Sequence, residues 1–215
     1  MTWERARTEK QKQQRIDEII DATARLYQKY NFEEITFALI AKEAAFTRSN
    51  LYKYFNSKEE IFFEFLKSDI VVWRQDIVRS TESKSFTITE FAEFWLEVQQ
   101  RHLRMQSLIS ILYAHLEKKS SFETLVNFKK MVVAEFETLC TLLQKIFPKL
   151  SIENATKFIQ IQLALSIGLY TMTDLSPEQQ KVFEVKEFAY LKMDYEQYFK
   201  QSLVYVLQGL IKDSV

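Results

Sequence analysis

Glycine and proline are almost missing: the 215-residue chain holds two of each and a single cysteine. Gly168 and Gly209 lie far into the chain and far apart, so no glycine-rich loop can close its backbone on phosphate. Kinases, nucleotide-hydrolysing switches and Rossmann dehydrogenases are thereby excluded. Sheet proteins turn on Gly, Asn-Gly and Pro, whereas long stretches here lack all three and are rich in Leu, Phe, Glu, Lys and Gln; the expected fold class is all-α. Cys140 has no intrachain partner, and beside the distant His102 and His115 it makes no metal-ligand spacing. A reducing, cytoplasmic setting is expected, without metal or cofactor. The N-terminal MTWERARTEKQKQQR lacks the apolar centre of a signal peptide, and the longest uncharged run, Phe158 to Thr173, is 16 residues with two Gln inside it. No membrane partner is expected. Net charge is absent as well, with 29 basic residues against 29 acidic.

What is present is apolar and helical. At 47% hydrophobic and 14% aromatic residues, the chain can fill a packed core. Ser or Thr followed three residues later by Glu or Gln satisfies orphan amides at a helix start, and four such boxes occur: Ser57 with Glu60, Thr87 with Glu90, Ser120 with Glu123, Ser176 with Gln179. Pro177 sits at a first helical position, Pro148 ends a run, and Ser151 caps the next. The pattern predicts helices near 10–30, 36–44, 47–55, 57–80, 87–105, 106–117, 120–147, 151–174, 177–190 and 194–213. Three short helices followed by long ones suggest an N-terminal domain over 1–56 and a larger helical domain over 57–215.

In the N-terminal part, Ile16, Ile19, Ile20, Thr23, Leu26, Tyr27 and Tyr30 form one apolar stripe. Asn31 reads as a left-handed cap that ends it. Two short helices separated by a tight turn then make a helix-turn-helix candidate. At about 100° per residue, a core-facing Leu51 puts Phe55 about 40° away, Ser49 and Lys53 opposite, and Asn50 and Tyr52 on the flanks. Hydroxyl, amide, phenol and ammonium groups are what base edges and phosphates can bond. Charge is basic locally: residues 1–15 carry five basic against two acidic side chains, and residues 42–58 carry four against one.

The run Thr36-Phe37-Ala38-Leu39-Ile40-Ala41-Lys42-Glu43-Ala44, then Phe46-Thr47-Arg48-Ser49-Asn50-Leu51-Tyr52-Lys53-Tyr54-Phe55-Asn56-Ser57-Lys58-Glu59-Glu60-Ile61, resembles the DNA-binding signature of TetR-family transcriptional regulators. The resemblance covers about residues 10–65. It implies a homodimeric, all-helical repressor whose helix-turn-helix reads a palindromic double-stranded DNA operator, released by an apolar small-molecule effector in the C-terminal domain. Carried over by position, Thr36 would cap the second helix and touch phosphate. Thr47, Arg48, Ser49, Asn50 and Lys53 would approach bases or backbone, and Tyr52, Tyr54 and Lys58 would clamp phosphates. The chain departs from the family's usual Gly at Ala45 and at Asn31, and from its usual small residue at Ser49.

Beyond residue 80 no catalytic constellation is visible, and an enzyme is not expected. Trp95, Tyr113, Phe128, Phe136 and Tyr170 are candidates to line an effector pocket, with plain core packing left open. His102, His115 and Cys140 read as structural. The apolar runs 158–175 and 195–211 resemble the paired helices of the family's dimer interface, which would use Ile159, Leu163, Ser166, Tyr170, Phe199, Leu203, Val206 and Leu210. A helical interaction or lipid-binding module without DNA function is the competing reading, favoured by zero net charge.

Overall fold

The computed structural model describes residues 9–214, whose regular elements are all helical, with no strand among them. The helices are α1 (Glu9–Tyr27), α2 (Phe37–Glu43), α3 (Arg48–Leu51), α4 (Lys58–Thr81), α5 (Ile88–Arg101) and α6 (Leu103–Ile111). A π-helical turn (Leu112–Leu116) and α7 (Glu117–Lys119) follow, then α8 (Phe122–Ile146), α9 (Ile152–Thr173), α10 (Pro177–Glu184), a 3₁₀ turn (Ala189–Leu191) and α11 (Tyr195–Lys212). The chain divides into two compact units. The first runs up to Ser68 and includes Ile111–Lys129; the second holds Asp69–Ser110 and the chain from Lys130 onward. The basic N-terminal residues Arg5 and Arg7 lie outside the described residues.

Caps decide most helix starts. Thr87 and Glu90 form a reciprocal box, with the Glu90 amide on Thr87 Oγ1 at 3.2 Å and the Thr87 amide on Glu90 Oε2 at 2.8 Å. Ser176 and Gln179 do the same ahead of Pro177, and Ser151 Oγ accepts from the Asn154 amide. Two boxes differ from expectation. Ser57 Oγ accepts from the Glu60 amide at 3.3 Å, but the Glu60 carboxylate reaches the Asn56 amide instead of Ser57. Ser120 turns back to the Leu116 carbonyl, and Ser121 caps α8 through the Thr124 amide, so that helix starts one residue later.

Other ends differ as well. α1 stops at Tyr27 rather than Tyr30, and Asn31 is not left-handed: its amide bonds Glu34 Oε2 at 2.8 Å and its carbonyl accepts from Glu34 and Ile35. The loop is held by Phe32 and Ile35, which are buried, so packing and not a positive φ ends the helix. α3 keeps only one turn, and Tyr52–Tyr54 continue as tight turns. α10 ends at Glu184 because Val185 is extended.

In the first unit Ile19, Ala22, Leu26, Ile40, Leu51 and Phe55 are buried with Phe62 and Phe65. The Phe62 ring stands edge-on to Phe32 at 5.0 Å and to Tyr27 at 5.5 Å. Each of the buried Ile, Leu and Phe side chains contributes about 1.5–3 kcal/mol of transfer free energy. The second unit centres on Phe91, Trp95, Phe147 and Phe158, with α11 packed on α9 and α5. Cys140 is buried near Thr156, as the core reading expects. No helix of the described residues is long and apolar enough to cross a membrane.

Candidate nucleic-acid interface

The recognition segment is built by two threonine caps and one strained turn. Thr36 Oγ1 accepts from the Leu39 amide at 3.1 Å and Thr47 Oγ1 from the Asn50 amide at 3.1 Å, so each short helix starts with a satisfied donor. Between them the Phe46 amide bonds the Ala41 carbonyl at 2.8 Å and the Ala45 amide bonds that of Lys42 at 3.1 Å. This is the Schellman ending of α2, and it forces Ala45 to φ 58. The turn geometry is thus kept without the family's glycine, at the steric cost of a left-handed alanine.

From this frame Arg48, Ser49, Tyr52 and Lys53 stand exposed, with Asn50 half-buried. Lys53 Nζ donates to Asn50 Oδ1 at 2.7 Å, and the Arg48 guanidinium lies 5.8 Å from the Tyr52 ring. The Tyr52 ring rests on Phe37 of α2 at 4.6 Å, which fixes its direction. Tyr54 is half-buried edge-on to Phe46. Seven of the nine expected DNA contacts, Thr47 to Asn50, Tyr52, Lys53 and Tyr54, therefore fall on one short segment, and Thr36 is exposed at the start of α2.

Lys58 is placed differently. Its ammonium donates to the Phe32 carbonyl at 2.6 Å and the Ile35 carbonyl at 2.8 Å, and lies 4.0 Å from the Phe32 ring centre. Burial lowers its pKa, against the pull of Glu59. It ties the α1–α2 loop to α4 and does not present its charge as a phosphate clamp. Residues the sequence reading passed over complete the unit: Arg25 Nε holds Glu43 Oε1 at 2.8 Å, joining α1 to α2, and this hydrogen bond lowers the Glu43 pKa. Their spacing of 18 residues leaves no periodic signal.

The candidate pocket and dimer residues are redistributed. Tyr113, exposed, and Phe128, buried on Phe63 at 4.9 Å, belong to the first unit, whereas Trp95, Phe136 and Tyr170 belong to the second. The five therefore do not line one site within a unit. Of the expected dimer residues, Ile159, Ser166, Phe199 and Leu203 are buried within the chain, where α9 and α11 face each other. The exposed sides carry Ile161, Ala164, Gly168 and Met172 on α9, and Tyr198, Tyr205 and Gly209 on α11. The reason is that α9 is apolar nearly all round, so hydropathy alone cannot say which stripe meets its own core. His102 Nε2 lies 2.9 Å from Asp76 Oδ2, and His115 lies against Phe32 and Glu33, both in structural positions.

A capped helix-turn-helix with a polar and basic exposed face, joined to a larger helical unit, is the build of a DNA-binding regulator. Comparison with known proteins agrees. Residues 19–65 match the bacterial regulatory proteins of the tetR family, and residues 67–214 match the tetracyclin repressor-like C-terminal domain. The chain belongs to the TetR family of transcriptional regulators, which bind DNA and are not enzymes. Among curated relatives, the HTH-type transcriptional regulator HbdR of Aromatoleum sp. (strain CIB) is 32% identical over 70 residues, 33% of this chain and 31% of that protein. The uncharacterized HTH-type transcriptional regulator YfiR of Bacillus subtilis (strain 168) is 28% identical over 78 residues, 36% of this chain and 38% of that protein. The match thus spans about a third of these relatives' length. Solved structures share the fold: the fatty acid degradation regulator FadR from Bacillus halodurans, at 18% identity and TM-score 0.60, covers 91% of this chain and 96% of its own. Thermus thermophilus FadR, in complex with lauroyl-CoA, does so at 14% identity and TM-score 0.56, covering 91% and 94%.

Proposed function

We propose that the chain is a repressor that binds a palindromic operator as a homodimer and is released by an apolar acyl effector held in its second unit. The observation that carries the DNA reading is the exposed face of Arg48, Ser49, Tyr52 and Lys53, with the half-buried Asn50 among them, held by the Thr47 cap and the Ala45 turn. The amide and hydroxyls suit base edges, and the guanidinium and ammonium suit base edges or phosphate. Lys58 serves the same unit indirectly, by bracing the α1–α2 loop that leads into Thr36.

Dimerisation is assigned to the exposed sides of α9 and α11. Met172 and Tyr205 are 58% and 62% exposed, and the chain's only two glycines, Gly168 and Gly209, lie on these sides with nothing within 4 Å of an added Cβ. An interior helical glycine costs about 1 kcal/mol against alanine, a cost that close approach of a partner helix would offset. Two recognition helices about one DNA turn apart read enough base pairs for useful specificity.

The effector class is supported by the lauroyl-CoA complex of the Thermus relative and the fatty-acid role named for the Bacillus one. Release would be a population shift: the acyl compound binds better to a conformation whose recognition helices no longer match successive major grooves. The chain crosses between the units within α4, within α6 between Ser110 and Ile111, and within α8, and the π-helical turn begins at Leu112, directly after α6. Selection from a random DNA pool should enrich a palindrome, and lauroyl-CoA should dissociate that complex. Failure to enrich any palindrome would refute the operator reading.

A further inference from the structure

The core of the second unit contains a chain of buried amides and hydroxyls that its packing alone does not require. Trp95 Nε1 donates to Gln162 Oε1 at 3.1 Å, and Gln99 Nε2 donates to the same oxygen at 2.9 Å. Gln106 Nε2 donates to the Gln99 main-chain carbonyl at 3.0 Å, Tyr195 Oη donates to Gln106 Oε1 at 3.1 Å, and Ser166 Oγ lies 3.4 Å from that hydroxyl. Gln99, Gln106, Gln162 and Ser166 are each at most 2% exposed. Burial pushes the Tyr195 pKa up, against its hydrogen bonds with Ser166 and Gln106.

Beside this network stands an exception. Trp73 of α4 is 3% exposed and edge-on to Trp95, with ring centres 5.8 Å apart. Its Nε1 is the one buried side-chain polar atom among the described residues that has no hydrogen-bond partner. An indole nitrogen only donates, and a buried donor left unpaired costs as much as a lost hydrogen bond. Phenylalanine would fill an aromatic site there without that cost. The Trp73 N–H is thus left for an acceptor from outside the chain.

We propose that Trp73 Nε1 is the polar anchor of the effector site, donating to the carbonyl oxygen of an acyl ester or thioester whose chain packs against the Trp73 and Trp95 rings. The inference rests on the acyl-effector reading and deepens it by naming where the carbonyl is held. A carbonyl is the fitting acceptor because it is uncharged and enters a site of aromatic rings and neutral amides with little desolvation. Gln162, already accepting twice through Oε1, positions Trp95 and does not compete for the Trp73 proton.

The test uses the full chain and its Trp73→Phe variant, titrated with lauroyl-CoA, methyl laurate and n-dodecane. Wild type should bind both carbonyl compounds about tenfold more tightly than the variant, the scale of one hydrogen bond, while dodecane binds the two proteins equally. The Trp73 indole N–H resonance should move downfield with methyl laurate and not with dodecane. The variant loses an unpaired donor but also ring volume from a buried site, so helix content and cooperative melting without ligand are measured alongside, and a variant that keeps both separates the effect from misfolding. Equal affinity of variant and wild type for methyl laurate, or equal loss for ester and alkane, overturns the anchor and leaves the acyl reading standing. If wild type binds none of the three, both readings fall.

Discussion

Lys58 Nζ donates to the Phe32 carbonyl at 2.6 Å, which turns a residue of the family's phosphate-binding signature into an internal brace. Lys58→Met leaves two carbonyls without this donor, and stability should fall by about 1–3 kcal/mol. The dependence of operator affinity on salt should hardly change, because no phosphate contact is lost. Urea unfolding and binding at several salt concentrations read the two effects separately, and a flatter salt slope would restore Lys58 to the DNA surface.

Lys53 and Tyr52 should behave in the opposite way. Lys53→Ala or Tyr52→Ala should weaken operator binding more than tenfold with the dimer intact, and Lys53→Ala should reduce the salt slope by about 1 if it meets phosphate. A gel shift on the selected operator measures the first, and unchanged affinity would remove these residues from the interface.

Ala45 is exposed and holds a left-handed φ of 58. Ala45→Gly should stabilise the protein by about 0.5–1 kcal/mol, the left-handed penalty less the extra backbone entropy of glycine. Denaturant midpoints decide it, and a destabilised variant would mean that the alanine methyl packs usefully.

Asp76 sets an acid limit for the second unit. Burial raises its pKa, but hydrogen bonds from His102, Arg101 and Ser80 outweigh that and hold it below its ordinary value of 3.8. A depressed carboxyl contributes stability above its unfolded pKa, and the contribution disappears as pH falls through the folded one. Asp76→Asn should therefore cost up to about 1 kcal/mol at pH 7, discounted for partial exposure. The gap between variant and wild type should close as acid titrates the wild-type carboxylate. A gap that persists at the acid end would assign the loss to packing.

Gly168→Arg or Tyr205→Arg should convert the dimer to monomer in sedimentation while leaving each chain folded, since both positions are exposed within the protomer. Leu203→Arg, buried at 0% exposure, should unfold the unit instead. A dimer that survives both surface changes would place the interface elsewhere.

Much of the fold was legible because its signals are local. A threonine three residues ahead of an amide it can cap, or an apolar stripe such as Ile19 to Leu26, acts within one or two turns and does not depend on distant packing. The recognition face followed from the same periodicity. Asn31 shows the limit: its type permits a left-handed cap, but burial of Phe32 and Ile35 selected another turn.

By itself the sequence determined the helical class, nearly every helix, and the polar face of Arg48 to Lys53, since propensity, caps and angular spacing are properties of short segments. Tertiary structure alone decided where long side chains spend their polar ends and which apolar stripe is inside. Lys58 reaches two carbonyls more than twenty residues earlier, α9 turns Ile159 inward and Gly168 outward, and Trp73 keeps a buried N–H unpaired. Each of these depends on partners from other helices. Hydropathy and spacing along one segment carry no information about that choice.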